Sequence, residues 1–195
     1  MYIKQNEDWG RYRHEDRKVV MEWRRIVARS TSSHVKTLQP AYAQTKLDPE
    51  WFDFFTYRDW RKTKFNADFL DRNGNPFHID KDLSCFGNNI YCPEYCSFVP
   101  REINNFFRKN AGESTSKHTG VHFGKWQQVS TTVQCLGVGI KETKYFYDIE
   151  LAVKWYKETK QKAGRLLADK WRDEIDIRVV KNLENIPHEF FLKGN

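Results

Sequence analysis

The chain has no apolar run approaching the roughly twenty residues that cross a bilayer, so no membrane span is expected. Its opening stretch, MYIKQNEDWGRYRHEDRK, lacks the apolar core of a signal peptide, which makes a cytoplasmic protein the expectation. Cysteine is sparse: Cys85, Cys92, Cys96 and Cys135 are the four among 195 residues. A structural zinc takes four ligands in closely spaced pairs, and Cys92-x3-Cys96 would need His78 or a remote residue to complete a set. Zinc is therefore not expected, and buried free thiols are. No internal repeat is present. Hydrophobic residues make up a modest 39%, yet seven Trp, nine Tyr and fourteen Phe supply large packing surfaces. A chain of this length suits one domain or two small ones.

The net charge of +7 is unevenly spread. Residues 1–46 carry ten Lys/Arg against five Asp/Glu, and residues 117–172 carry eleven against five. Residues 70–110 balance at five of each. Basic flanks around a neutral centre suit a polyanion-binding protein, although mildly basic surfaces also occur without one.

Along the chain, Val19, Val20, Trp23, Ile26 and Val27 recur at helical spacing and predict a helix over about 14–29, broken by Ser30–Ser33. A loop packed by Tyr42 is expected up to Gln44. Asp48 as N-cap and Pro49 at the first helical position then predict a second helix, with Trp51, Phe54, Phe55 and Trp60 towards the core.

The centre of the chain, Phe77–Phe107, carries the richest chemistry. Asp71–Pro76 is a turn cluster containing Asn-Gly. Phe77, Ile79 and Leu83 alternate with polar residues, so on a strand His78, Asp80 and Asp82 share one face. Gly87-Asn88-Asn89 turns the chain, Ser97-Phe98-Val99 reads as a short strand, and Pro100 suits a helix start. That helix would carry Arg101, Asn104, Asn105 and Arg108 past the acidic strand. Carboxylate and amide oxygens are hard ligands suited to magnesium, which can stabilise charge developing on a phosphodiester.

This segment resembles the degenerate HNH endonuclease-like proteins of bacteriophages. The matching residues are Asp80-Lys81-Asp82, Gly87-Asn88, Tyr91, Pro93, Cys96, Phe98-Val99-Pro100 and Ile103-Asn104. Upstream, Trp23-x2-Ile26-x2-Arg29 and Pro49-Glu50-Trp51-x2-Phe54 extend the likeness. The resemblance implies a ββα-metal unit in which Asp80 and Asn104, with Asp82 as a further ligand, hold Mg2+ or Mn2+. It puts the general base on Lys81, where the better-characterised enzymes have His. A second register, His78-Ile79-Asp80, restores a histidine base and shifts the ligands; the sequence leaves both open. Arg101 and Arg108 are the DNA-contacting candidates of this unit.

Residues 110–119 are rich in Gly, Ser and Thr and read as a linker. Three short strands are expected beyond it, over 119–123, 125–129 and 131–140. A long helix follows, N-capped by Asp148 and running to about Trp171. Its apolar stripe is Ala152, Trp155, Tyr156, Ala163, Leu166 and Leu167, with Lys154, Lys157, Lys160 and Lys162 around it as a solvated face. A short helix is expected at Ile177–Leu183. This second part resembles the DNA-binding domain of plant ethylene-response factors through Gly120-Val121-His122-Phe123, Lys125-Trp126, Leu136-Gly137 and the Ala152/Tyr156 pair. The likeness implies a sheet that contacts DNA, with His122, Lys125, Trp126 and Gln128 as candidates. These strands lack Arg, the commonest reader of guanine. Trp126 reads equally as a core tryptophan.

The expectation is an α+β protein of two units. The HNH-like hairpin-plus-helix unit with N-terminal helices occupies 1–110, and a small three-stranded sheet packed on one long helix occupies 117–195. The expected partner is double-stranded DNA. The favoured activity is divalent-metal-dependent DNA hydrolysis in the cytoplasm of a bacterial host. The alternative is a catalytically inactive DNA-binding or regulatory protein, or an inhibitor of a host protein.

Overall fold

The computed structural model describes Tyr12, residues 14–108, Ser116, residues 118–124, Trp126 and residues 128–191. Asp16 opens the first helix, its carboxylate accepting from the Lys18 N–H at 2.7 Å. Helix α1 (Arg17–Thr31) then buries the whole expected stripe of Val19, Val20, Trp23, Ile26 and Val27. Ser32 serves both sides of the break. Its N–H donates to the Ala28 carbonyl to close α1, and its hydroxyl caps α2 (Ser33–Leu38) through the Val35 N–H. The expected loop is thus partly helical, and it passes through a 3-10 turn at Pro40–Tyr42 to β1 (Lys46–Leu47).

Asp48 does act as an N-cap, but of a 3-10 turn at Pro49–Phe52. Asp53 supplies a second cap and starts α3 (Phe54–Lys62), so the one helix expected here is two pieces. Trp51, Phe54 and Tyr57 are buried, with the Trp60 ring tilted against Trp51 at 4.4 Å between ring centroids. The Trp23 indole N–H donates to the Trp51 carbonyl at 2.8 Å and ties α1 to this aromatic cluster.

The 71–76 turn closes on a single bridge, Leu70 to Pro76, with Gly74 at φ +76°. Beyond it, β2 (His78–Asp80) pairs antiparallel with β4 (Ser97–Val99), His78 opposite Val99 and Asp80 opposite Ser97. Between them β3 (Ile90–Tyr91) pairs parallel with β1, a pairing that two-residue strands give no periodicity to reveal. Helix α4 (Arg101–Phe107) follows Pro100 directly and buries Ile103, Phe106 and Phe107.

The second half is a meander, β5 (Val121–Phe123), β6 (Val129–Cys135) and β7 (Ile140–Phe146), in the order β5-β6-β7. Three strands were expected, but the second and third lie further along the chain. The stretch expected as a strand at 125–129 begins with the β5–β6 turn, because Trp126 adopts φ 61° and Gly124 N–H donates to the Gln128 carbonyl at 2.7 Å. Helix α5 (Ile149–Trp171) is N-capped by Asp148 as expected and covers one face of this sheet. Its Ala152, Tyr156, Ala163 and Leu167 are buried, whereas Leu166 is 39% exposed. Lys160, expected on the solvated face, is only 7% exposed, because its ammonium reaches the Phe106 carbonyl at the end of α4. Helices α6 (Ile177–Glu184) and α7 (His188–Phe191) complete the chain, with Gly164 of α5 lying against the Leu183 carbonyl of α6.

The mixed helices and small sheets make the protein α+β. The linker expected at 110–119 lies largely outside the described residues, so its conformation is not described. The segments on either side of it share one continuous apolar core. Phe77 meets Trp171 edge-on at 5.6 Å, and Phe107 meets Phe190 at 5.5 Å. The Asn66 amide donates to both the Phe98 carbonyl at 3.0 Å and the Glu174 carbonyl at 2.8 Å, and Asn182 donates to the Leu83 carbonyl at 2.8 Å.

Candidate functional site

Strand β2 stops at Asp80 for a local reason. Asp80 Oδ1 accepts from the backbone N–H groups of Asp82 and Leu83, each at 2.9 Å, and this turns the chain out of extended conformation. His78 and Asp80 keep the shared strand face, but Asp82 does not continue it. Its carboxylate comes instead to lie against that of Asp80 across the turn. Burial, and then the adjacent Asp82 charge, push the Asp80 carboxyl well above the usual carboxylate range.

Lys81 points inward and is 9% exposed. Its ammonium donates to Asp82 Oδ2 at 2.9 Å and to the Asn88 carbonyl at 3.4 Å. Asn88 closes the loop from the other side, its amide donating to the carbonyls of Lys81 at 2.6 Å and Ile90 at 2.8 Å. Arg29 of α1 stands behind this loop. It donates to the Tyr91 hydroxyl at 3.2 Å and lies 4.8 Å over the Tyr42 ring. Burial opposes its charge, but Tyr91, Tyr42 and Asp80 nearby outweigh that and hold its pKa above the ordinary value.

His78 is exposed beside this loop. Burial of part of the ring, and then the Arg101 charge, with smaller contributions from Arg29 and Arg25, lower its pKa from the ordinary 6.5. On α4, Arg101 and Asn104 are one turn apart, Arg101 exposed and Asn104 half-buried, while Arg108 caps the helix in extended conformation and is exposed. Among the described residues, no group of three or more His, Cys, Asp and Glu side chains is placed to hold a metal ion. The oxygen inventory is short. One Asp80 oxygen serves two backbone donors and one Asp82 oxygen serves Lys81, which leaves one further oxygen on each of two abutting carboxylates. Magnesium normally demands a nearly complete octahedron of oxygens. This set fits an internal ion pair better than a magnesium site. Of the thiols, Cys92, Cys96 and Cys135 are buried and free as expected, while Cys85 is free but exposed.

The β5-β6-β7 sheet has a second candidate surface. Along β6, Val129, Thr131, Val133 and Cys135 are buried, so Ser130, Thr132 and Gln134 point to the opposite, open face. The register places Tyr145, Thr143 and Lys141 of β7 across from them, and His122 of β5 opposite Ser130. The Thr132 and Thr143 hydroxyls meet at 2.9 Å and confirm that these rows share a face. Trp126 is 91% exposed at the β5–β6 turn, which overturns its reading as a core tryptophan. Gln128 is half-buried next to β6, and Lys125 lies outside the described residues. Sequence reasoning missed Lys141, Thr143 and Tyr145. Their signal was the alternation in IKETKYF, hidden because the third strand was expected earlier in the chain. Compared with protein-family models, curated proteins and solved structures, the chain has no match.

Proposed function

We propose that this protein binds double-stranded DNA through the open face of the β5-β6-β7 sheet, and that its HNH-like β2–β4–α4 unit serves as a scaffold and not as a nuclease. The observation that carries this reading is the sheet surface itself. An indole that is 91% exposed stands at the β5–β6 turn, and the sheet presents a row of hydroxyl, amide, phenol and ammonium groups that, among the described residues, no helix covers. Such a surface offers donors and acceptors to base edges and charge to phosphates. The net charge of +7 favours a polyanion partner. The scaffold role is supported by Lys81. Its buried ammonium is already bonded to Asp82, one of the two carboxylates that a metal would need.

A second reading is metal-dependent phosphodiester hydrolysis. The abutting carboxylates favour it, since a pair that resists double ionisation is also a pair that a dication can bridge. In that reading Asp80, Asp82 and Asn104 would hold Mg2+ or Mn2+, and the base would be His78 or Lys81. The metal would supply charge neutralisation at the leaving oxygen.

One set of measurements separates the two. Under the scaffold reading, duplex DNA is bound equally with EDTA or with magnesium or manganese, and supercoiled plasmid stays intact throughout. Trp126→Ala should weaken binding at least about fivefold, as loss of an exposed aromatic anchor does. Metal-dependent nicking that Asp80→Asn abolishes would establish hydrolysis instead.

A further inference from the structure

A second cationic surface lies on the face of the molecule that carries His78, and the sheet does not account for it. Arg25 and Arg29 are one turn apart on α1 and so leave the helix on the same side. Arg101 is the first residue of α4, two positions after Val99, and Val99 is the strand partner of His78. All three guanidinium groups lie within Coulombic reach of the one imidazole. Two separate elements, α1 and α4, therefore direct positive charge to a single spot beside β2.

The neighbouring acids do not cancel it. Glu22 also reaches His78, but its carboxylate is bonded by Arg61 at 3.0 Å and by the Tyr57 hydroxyl. Asp80 spends one oxygen on two backbone amides. Arg29 is half-buried and held by Tyr91 and Tyr42, whereas Arg25 and Arg101 are exposed. The planar guanidinium fork suits the paired oxygens of a phosphate. Three convergent cations held by α1 and α4 suit a ligand with several negative groups in a row, as a nucleic-acid backbone provides.

We propose that Arg25 and Arg101, backed by Arg29 and flanked by His78, form a clamp for successive backbone phosphates of a DNA duplex, separate from the contacts made by the β5-β6-β7 sheet. This rests on the DNA-binding reading above and adds the surface that fixes the duplex across the β2–β4–α4 unit. Backbone contacts of this type set register without reading sequence.

The test uses the full chain and a duplex of arbitrary sequence, with affinity measured by fluorescence anisotropy across a salt series. Neutralising two phosphate contacts should lower the slope of log affinity against log salt by about two. For Arg25→Ala/Arg101→Ala, the affinity ratio of wild type to variant should therefore shrink about twelvefold between about 50 and about 200 mM salt. Arg25→Lys/Arg101→Lys, which keeps both charges, should retain most of the wild-type slope. Lys62→Ala/Arg172→Ala, which removes two exposed cations already paired with acids, should leave the slope nearly unchanged. Circular dichroism should confirm that every variant keeps its helical content. If the wild type binds and Arg25→Ala/Arg101→Ala keeps its slope, the clamp is wrong while the sheet reading survives. If the Lys62 and Arg172 pair lowers the slope equally, net charge and not a clamp is responsible, and the proposal falls. If the wild type does not bind duplex DNA, both readings fall together.

Discussion

Lys160 offers the most quantitative check on the fold. Its side chain is 7% exposed, its ammonium donates to the Phe106 carbonyl, and it lies 3.8 Å from the Phe106 ring centroid and 5.4 Å from that of Phe190. The one charge partner acting on it is the Cys135 thiol, a weak one. Burial dominates and pulls the pKa from the ordinary 10.5 to about 8. That drop corresponds to about 3 kcal/mol set against the charged form. In the pH range between the two values the unfolded chain binds the proton and the folded chain does not, so stability rises with pH there. Below the folded value both states are protonated and the full penalty applies. Lys160→Met keeps most of the unbranched side chain and removes the charge. Near pH 7 it should relieve the penalty of about 3 kcal/mol but leave the Phe106 carbonyl without its donor, at about 1–3 kcal/mol, for a net gain of about 0–2 kcal/mol. The sharper readout is the stability of the variant minus that of the wild type, from urea unfolding at several pH values. Subtraction cancels the tyrosines, thiols and other lysines that titrate in the same range. The difference should fall by about 3 kcal/mol from about pH 7 to about pH 10.5. Curves that stay parallel within about 1 kcal/mol across that range would show that Lys160 is not buried as a titrating amine, and with it that α5 does not close over the end of α4.

Three further positions test how α5 packs against its neighbours. Gly120 has φ +73° and an added Cβ would lie 2.2 Å from the Tyr156 ring, so Gly120→Ala should lower stability by at least about 2 kcal/mol in urea unfolding. Gly164→Ala should also destabilise, although alanine is the better helix former by about 1 kcal/mol, because its Cβ would meet the Leu183 carbonyl at 2.5 Å. Trp171→Phe keeps the ring against Phe77 but removes the indole N–H that donates to Glu102, and a loss of about 1.5–3 kcal/mol is expected from the urea midpoint.

What the sequence made legible was set by how local the cause is. The α1 stripe, the Asp148 cap and the length of α5 follow from neighbouring residues, and all stand as read. The β2–β4 pairing was equally visible, since Ile79 and Phe98 are both buried apolar residues in short alternating segments. The parallel pair β1–β3 was not, because two residues cannot display a period. The sheet was placed too early for a related reason. Lys125-Trp126 looks like strand material, and only the positive φ at Trp126 makes it part of a turn. A non-glycine residue in that region is uncommon, and nothing in the local pattern announces it.

The polar residues were harder to read, and they failed in one consistent way. Asp80, Asn88, Lys81 and Lys160 each look available for chemistry or for solvent. In the fold each is bonded to backbone groups of another segment or of its own turn. Buried backbone donors and acceptors must be paired, and short strands and irregular loops cannot pair all of theirs through a ladder. With strands of two or three residues around the central site, side chains take over that duty. This explains why a segment with so many candidate ligands has so few oxygens left over. Asp80 is committed to two amides before any cation arrives, and the loop that presents Asp82 depends on that commitment. Arg25, midway along α1, and Arg101, at the start of α4, are by contrast exposed on elements whose apolar faces are already buried. Partner recognition is therefore best sought on those exposed groups and on the open sheet, because the interior charges already hold the structure together.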